Sequence, residues 1–487
     1  MKQAIHIFKK DVSHLRYDIG ITLLAAVAFC FMGMQQMPVS GTGATGNRIA
    51  FFLPVTWFFL IARVIHADAI PGERQFWLTR PYQWKSLLGA KLLFILVFVN
   101  LPLLIADAVI IHAAGFSISQ EIAGLLWTQV LLITAFVLPI AAFSAITSGL
   151  LQLLSATFLL FIVIQALIIT SSSRHSDSYW MELEWVKTYC LMTQIAAAAA
   201  IILLWQYARR NTFATRIVAG AAAVALVGSS AFLPWTTAFA LQTRLSTRTI
   251  APTSIRIELD SDRKWLGHIY DAEQNQVVAE LPLQISGIPA GMELEPNGLT
   301  LTLHAPDGET WIVNQTPPSS FDFEASITSL RAVMTKAFFT KVKNQPLQLR
   351  GSLFFTLYGN KQSTAIPLNS GPVPVNGLGL CSAAAHFLLC NSVFRTQPDL
   401  VSVRIFQGAP SEPIGTTEHP LRLRSYSPFP ADLNIDPLYQ FFSPKTDTIS
   451  GADVEALEPL AYLRRDFEID QIRLNDFVAR ARLTATK

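Results

Sequence analysis

The chain has 487 residues, of which 51% are hydrophobic and only 15% charged, with a mean hydropathy of +0.38 and a formal net charge of +3. A soluble domain carries about 25% charged residues, which argues against a wholly water-soluble protein. A wholly membrane-embedded one fits no better. Residues 1–240 hold 15 Lys/Arg and 9 Asp/Glu, whereas residues 241–487 hold 22 and 25. The composition describes a membrane half followed by a half of ordinary soluble charge density.

In residues 1–18 and on into residue 19, Ile5, Phe8, Val12, Leu15 and Ile19 recur at helical spacing, with Lys9, Lys10 and Arg16 on the other side. This pattern predicts an interfacial amphipathic helix leading into the membrane. Crossing a bilayer takes about 17–25 mostly apolar residues. In 19–240, seven stretches are candidates, near 19–34, 49–65, 92–111, 122–143, 150–170, 189–207 and 217–233. Ala238-Phe239-Ala240, after the last of them, has small residues like those of a signal-peptidase site and reads as an ordinary helix end.

Lys and Arg are retained on the cytoplasmic side. With the N-terminus inside, the inner segments hold twelve basic residues and the outer loops only Arg48, Arg174 and Lys187. An odd number of spans then places residues 241–487 outside. The expected arrangement is a multi-pass membrane protein with a cytoplasmic N-terminus and an exoplasmic C-terminal half.

Polar residues inside spans are costly, which singles out Asn100 and Asp107, beside Gln129, Gln165 and Gln194. Asp107 is expected about one turn from the outer end, within reach of water. Local pairing and substrate contact both remain open for it. Pro102 is expected to kink the third span by removing a backbone hydrogen bond.

The longest inner segment, 66–86, contains Asp68, Pro71, Gly72, Glu73, Arg74, Phe76, Trp77, Arg80 and Pro81. Pro71 suits a helix start and Arg80-Pro81 a stop. A short amphipathic helix here would either rest in the lipid interface or dock a partner through its aromatic pair.

This segment resembles the transmembrane subunit of ABC-2 type exporters. That family carries an acidic residue, a Gly, a Leu-Leu-x-x-Pro run and a Lys entering the third span. Here Asp68 stands four before Gly72, Pro81 nine after it and Lys91 ten after Pro81. Trp77-Leu78 replaces the Leu pair, Glu73 stands where the family usually has Thr, and Ile70 occupies the second acidic position. The seventh span and the large exported half are also additions to the family's usual six spans. The resemblance implies that residues 72–79 form a coupling helix docking on a cytoplasmic ATP-binding subunit. It also implies that Asp68, Gly72, Glu73, Phe76, Trp77, Arg80, Pro81 and Lys91 serve that coupling, in a homo- or hetero-dimer of permease subunits.

Beyond residue 240 the periodicity changes to two. Residues 254–259, 299–303 and 400–405 alternate apolar with polar, and 347–357 and 467–474 are further strand candidates. Asn297-Gly298 and Asp307-Gly308 are tight-turn signals. The expectation is an all-β, sandwich-like domain, as one unit or as modules 250–345 and 346–487. Leu330, Val333, Met334, Ala337, Phe338 and Val342 predict one interrupting helix. Cys381 and Cys390, nine residues apart in an oxidising compartment, suit a hairpin disulfide, with two free thiols as the alternative. Cys30 and Cys190 fall in membrane runs.

No HExxH, GxSxG, CxxC or Walker run occurs, and no catalytic residue, metal ligand or cofactor is assigned. Gly41, Gly43 and Gly46 match GxGxxG in an outer loop without the strand that a dinucleotide site needs. His386, between the two exported cysteines, does not by itself make a metal site. No basic run with interleaved aromatics marks a nucleic-acid surface. The leading expectation is an ABC-2 permease subunit without its own ATPase activity, in the lipid bilayer. The alternative is a non-transporting membrane-anchored sensor with an exoplasmic ligand- or partner-binding β domain. A membrane-embedded enzyme is disfavoured, because no paired catalytic groups stand out.

Overall fold

The computed structural model describes residues 2–35, 52–68, 83–159, 162, 184–232, 235–245, 255–260, 268–272, 275–315, 321–322, 327–368, 371–375, 379–384, 387–393, 400–406, 438–442 and 451–478. The apolar half is helical: α1 (Lys2–His14), α2 (Arg16–Gln35), α3 (Phe52–His66), α4 (Trp84–Ala113), α5 (Ile118–Ile146), α6 (Leu150–Leu159), α7 (Glu184–Arg209), α8 (Thr212–Phe232) and α9 (Trp235–Leu245). Four of them, α2, α4, α5 and α7, are long and apolar enough to cross a membrane. Helices α3, α6 and α8 carry shorter apolar stretches of 10–17 residues. In the fifth expected span, only residues up to 159 and residue 162 lie within the described part.

Side contacts give the helices their directions. Cys30 meets the Ala106 carbonyl, and a Cβ on Gly33 would sit 2.6 Å from Ile110 Cδ1, so α2 and α4 run parallel and nearly touch. Arg63 near the end of α3 reaches Asp18 near the start of α2, which makes that pair antiparallel. The α4–α5 turn at 114–117 therefore lies at the end opposite the one where α2 and α4 begin.

Both long central helices widen into a π-helical turn, Leu96–Asn100 in α4 and Ile133–Val137 in α5. Each is followed two residues later by a proline, Pro102 or Pro139. A proline cannot donate to the carbonyl four residues back, and its ring crowds that carbonyl. Accordingly the Leu101 and Leu138 amides bond five residues back, to Leu96 and Ile133. The expected disturbance at Pro102 thus takes the form of a π-turn.

The second half is β-rich, with strands β1 (Arg256–Leu259), β2 (His268–Ala272), β3 (Gln276–Ser286), β4 (Glu293–His304), β5 (Thr310–Gln315), β6 (Phe321–Asp322) and β7 (Ile327–Thr335), then α10 (Lys336–Val342). It continues with β8 (Leu347–Pro367), β9 (Val373–Val375), β10 (Gly379–Ala384), β11 (Phe387–Val393), β12 (Leu400–Phe406), β13 (Leu438–Phe442), β14 (Gly451–Ile472) and α11 (Asn475–Val478). Among the described residues three sheets form, in orders β1-β3-β7-β6 with β2 also on β3, β13-β11-β10-β9, and β12-β14-β8-β4-β5.

Strands β8 and β14 pair over most of their 21 and 22 residues, a ribbon about 65–70 Å long at about 3.3 Å per residue. One end of this ribbon packs with the first sheet through Leu349, Leu353, Phe355, Leu357, Leu463 and Phe467. The other end, at Ile366, Ala452 and Val454, packs with the second sheet. The division at 345/346 therefore falls inside a sheet, because β4 and β8 from its two sides are hydrogen-bonded neighbours.

Two sequence expectations change here. The helix expected over 330–342 is a strand to Thr335 and a helix only from Lys336. Leu330 and Met334 suit a four-residue period, but with Ala332 they also alternate. Pairing with β3 buries all three. Asn297-Gly298 is no hairpin turn either. It lies inside β4, where the register shifts by a bulge between Pro296 and Gly298. Asp307-Gly308 does turn the chain, between β4 and β5.

The halves meet at the α4–α5 turn end. Val393 of β11 packs with Ile111 and Leu125. Helix α9 lays Phe239 on Phe354 and Tyr462, at ring-centroid distances of 5.0 and 6.4 Å. Phe239 thus covers Phe354 on the second face of β8, while Tyr358 on that face packs with Leu457 of β14.

Candidate functional site

At the opposite end, four charged side chains from three separate elements converge. On α1 the buried positions Ile7 and Asp11 stand four apart, and Leu15 continues the stripe. Asp11 is thus a carboxylate on the apolar face, 0% exposed. Asp68 follows directly after α3, and Lys91 sits in α4, also 0% exposed. Lys91 Nζ donates to Asp11 Oδ2 at 2.8 Å and to Asp68 Oδ2 at 2.6 Å. Lys10 Nζ, from the edge of α1, donates to Asp68 Oδ1 at 2.9 Å. Two ammoniums and two carboxylates make the group formally neutral. Burying any one of them alone would be prohibitive.

The two carboxylates are not equivalent. Burial pushes the Asp11 carboxyl above its ordinary value of 3.8, the Asp68 carboxylate adds to this, and the ammoniums of Lys91 and Lys10 do not offset it. Burial also penalises the charged form of Asp68. There the ammoniums of Lys91 and Lys10 outweigh it and hold the carboxyl below 3.8. The difference follows from the bonding, since Asp68 uses both oxygens while Asp11 Oδ1 accepts no hydrogen bond among the described residues.

Further polar tethers lie at the same end. Arg63 Nη1 donates to Asp18 Oδ1 at 2.6 Å, and His66 Nε2 lies 3.1 Å from Thr147 Oγ1. Arg216 donates to the Ile146 carbonyl at 3.1 and 3.3 Å, joining the start of α8 to the end of α5. Gln206 holds Thr212 and Thr215, at 3.1 and 2.8 Å, across the α7–α8 turn. These tethers lie at the same end of the bundle as residues 68 and 83, the two ends of segment 69–82.

Of the residues assigned to coupling, the structure brings together Asp68 and Lys91. Gly72, Glu73, Phe76, Trp77, Arg80 and Pro81 lie outside the described residues, as do Gln165, His386 and the 41–46 glycines. Asn100 Nδ2 donates to Gln129 Oε1 at 3.1 Å, a buried bond between the two π-turn helices. Asp107 is 0% exposed, contrary to its expected place near water. It shares the inward stripe of α4 with Leu103, Ala106 and Ile110. Cys381 and Cys390 form a disulfide, S–S 2.07 Å, at directly paired positions of β10 and β11.

Sequence reasoning missed Asp11 and placed Lys10 on a solvated face. The available signal was a lone acid, in a basic leader, spaced four from Ile7 and four from Leu15. The interfacial reading of α1 also changes. Phe8 and Val12 pack on the bundle instead of lying free, with Phe8 against Phe94 and Phe98 of α4. Among the described residues, no three His, Cys, Asp or Glu side chains converge as metal ligands.

No protein-family model matches the chain, and no curated protein matches its sequence.

Proposed function

We propose that this chain is the permease-like membrane subunit of an ABC-2 type export system. In this reading residues 19–240 make seven spans, and residues 241–487 make a sandwich-like exoplasmic domain. A separate cytoplasmic ATP-binding subunit docks on residues 72–79 through Phe76, Trp77 and Arg80. The observation that carries the reading is the Lys91 junction. Asp68 and Lys91, two positions of the family spacing, are bonded to each other across the base of segment 69–82, and Lys91 is bonded to Asp11 of α1 as well.

The mechanical argument is direct. A segment closed at its base by a buried ion pair passes a displacement to α3, α4 and α1 together instead of flexing alone. Nucleotide binding by the partner would press on the segment, and the spans would rock as a unit, with paired permease subunits enclosing the path. The basic residues crowd the segment's side of the bundle, which supports a cytoplasmic assignment for that end and an inner-membrane location.

The test is co-purification of the full chain with the ATP-binding subunit encoded beside it. Trp77→Ala and Arg80→Ala should abolish association and ATP-dependent efflux while leaving the membrane-inserted protein intact. Unchanged association, or no associating ATPase, would sink the proposal. The sensor reading draws on one observation, the packing of Val393 and Phe239 between the β region and the helices. It would gain if a ligand of residues 241–487 altered the thiol reactivity of Cys30 with no ATPase present.

A further inference from the structure

The Asp11–Lys91 bond sets the rotation of α1. At about 100° per residue, Lys2 lies opposite Asp11 and Lys9 within about 20° of that point. His6 and Ser13 flank them, and all four are exposed. The only acid of α1 is turned inward. The outward face is therefore basic without an acidic residue to offset it. Exposed Arg16 continues it at the start of α2.

A second, independent pattern lies at the same end. Three basic side chains stand over neighbouring aromatic rings, namely Arg16 over Tyr17 at 4.8 Å, Lys85 over Trp84 at 5.6 Å and Arg209 over Trp205 at 5.4 Å. They come from the starts of α2 and α4 and the end of α7, so they ring the bundle at one level. Tyr17 is 72% exposed. Aromatic rings with an apolar body and a polar tip, set beside Lys and Arg, are the side chains that settle at the headgroup level of a bilayer.

We infer that the outward face of α1, with Lys2, His6, Lys9 and Arg16, is a docking strip for the anionic phospholipid headgroups of that leaflet. Charge complementarity and continuity with the spanning helices identify the occupant: the strip runs directly into α2 at the height of the cation–aromatic ring. Helix α1 then meets the membrane with its basic face, while its apolar face is committed to α4. The inference rests on the membrane reading of the chain and not on export, so an ATPase that fails to co-purify leaves it untouched.

The experiment titrates the detergent-solubilised full chain with dansyl-phosphatidylglycerol and dansyl-phosphatidylcholine, reading energy transfer from tryptophan. The wild type should prefer the anionic lipid, and the preference should collapse in 1 M salt, where screening acts within about 3 Å. The triple variant Lys2→Gln/Lys9→Gln/Arg16→Gln should lose the preference by on the order of 100-fold, since each basic residue near a charged surface adds about fivefold. Lys9→Glu alone should give a smaller loss in the same direction. Arg350→Gln, on the exposed face of β8, should give none. Equal binding of the two lipids, or an unchanged preference in the triple variant, overturns the inference. So does competition by inorganic phosphate at matched concentration, which would mark a free-anion site.

Discussion

Lys91 Nζ lies 2.6 Å from Asp68 Oδ2, which bonds the start of α4 to the residue that leaves α3, and neither side chain is more than 3% exposed. The ammonium is shared with Asp11 of α1 at 2.8 Å. One buried cation thus holds three chain segments that are remote in sequence.

Removing that cation leaves the buried Asp11 carboxylate without its ammonium and Asp68 with Lys10 alone. Lys91→Met should destabilise the folded protein by about 3–5 kcal/mol, the usual consequence of breaking a buried ion pair. Thermal unfolding in detergent checks this. A Lys91→Met/Asp68→Asn double variant should recover part of the loss, and the double-mutant cycle measures the coupling. Strict additivity would show that the two side chains do not interact.

Asp68 and Asp11 should respond oppositely to pH. The Asp68 carboxyl is held below 3.8. Its contribution is therefore present above the unfolded-state value and lost as pH falls through the lower folded-state value. Asp11 is pushed above 3.8. Its folded state binds the proton more tightly, so its contribution is present below the unfolded-state value and lost as pH rises through the folded one. At neutral pH Asp11→Asn should cost less than Asp68→Asn, and Asp68→Asn should flatten the acid limb of the stability curve. Stability against pH for the three proteins decides the matter, and a costlier Asp11→Asn would contradict the assignment.

The Cys381–Cys390 bond closes a loop with a sequence separation of 9. Cys381→Ala/Cys390→Ala should destabilise the second sheet by about 2–3 kcal/mol on the chain-entropy account. The change should appear in proteolysis of the β10–β11 hairpin. The α4–α5 turn, which touches this sheet through Val393, should become more accessible in parallel.

Gly351 sits where β8 is crossed by the Phe467 ring. An added Cβ would lie 2.6 Å from Phe467 Cζ and 2.9 Å from the Thr300 carbonyl oxygen. The ring can turn, but the backbone oxygen belongs to the paired strand β4 and cannot retreat cheaply. Gly351→Ala should cost about 1–3 kcal/mol, read as a lowered midpoint of thermal unfolding.

Much of this architecture was legible in residue order. Apolar run lengths mark the helical half, period-two alternation marks residues 254–259, 299–303 and 400–405, and 347–357 is a further strand candidate; strands β1, β4, β12 and β8 lie on these stretches. The spacing of Cys381 and Cys390 pointed to a hairpin bridge. Local patterns failed where two periods were compatible with one stretch, as over 330–335, and where an Asn-Gly pair sat in a long strand as a bulge. Pro102 announced a disturbance in α4, and its counterpart Pro139 in α5 carried the same signal unread.

What the sequence by itself determined is therefore the division into a helical, apolar half and a β-rich half, because burial and backbone periodicity act over neighbouring residues. What only the tertiary structure decided is which charges are inside. Neither Asp11 nor Asp68 nor Lys91 shows within its own segment which partner it meets. A buried charge is tolerable only beside its partners, and those stand 23 and 80 positions away along the chain.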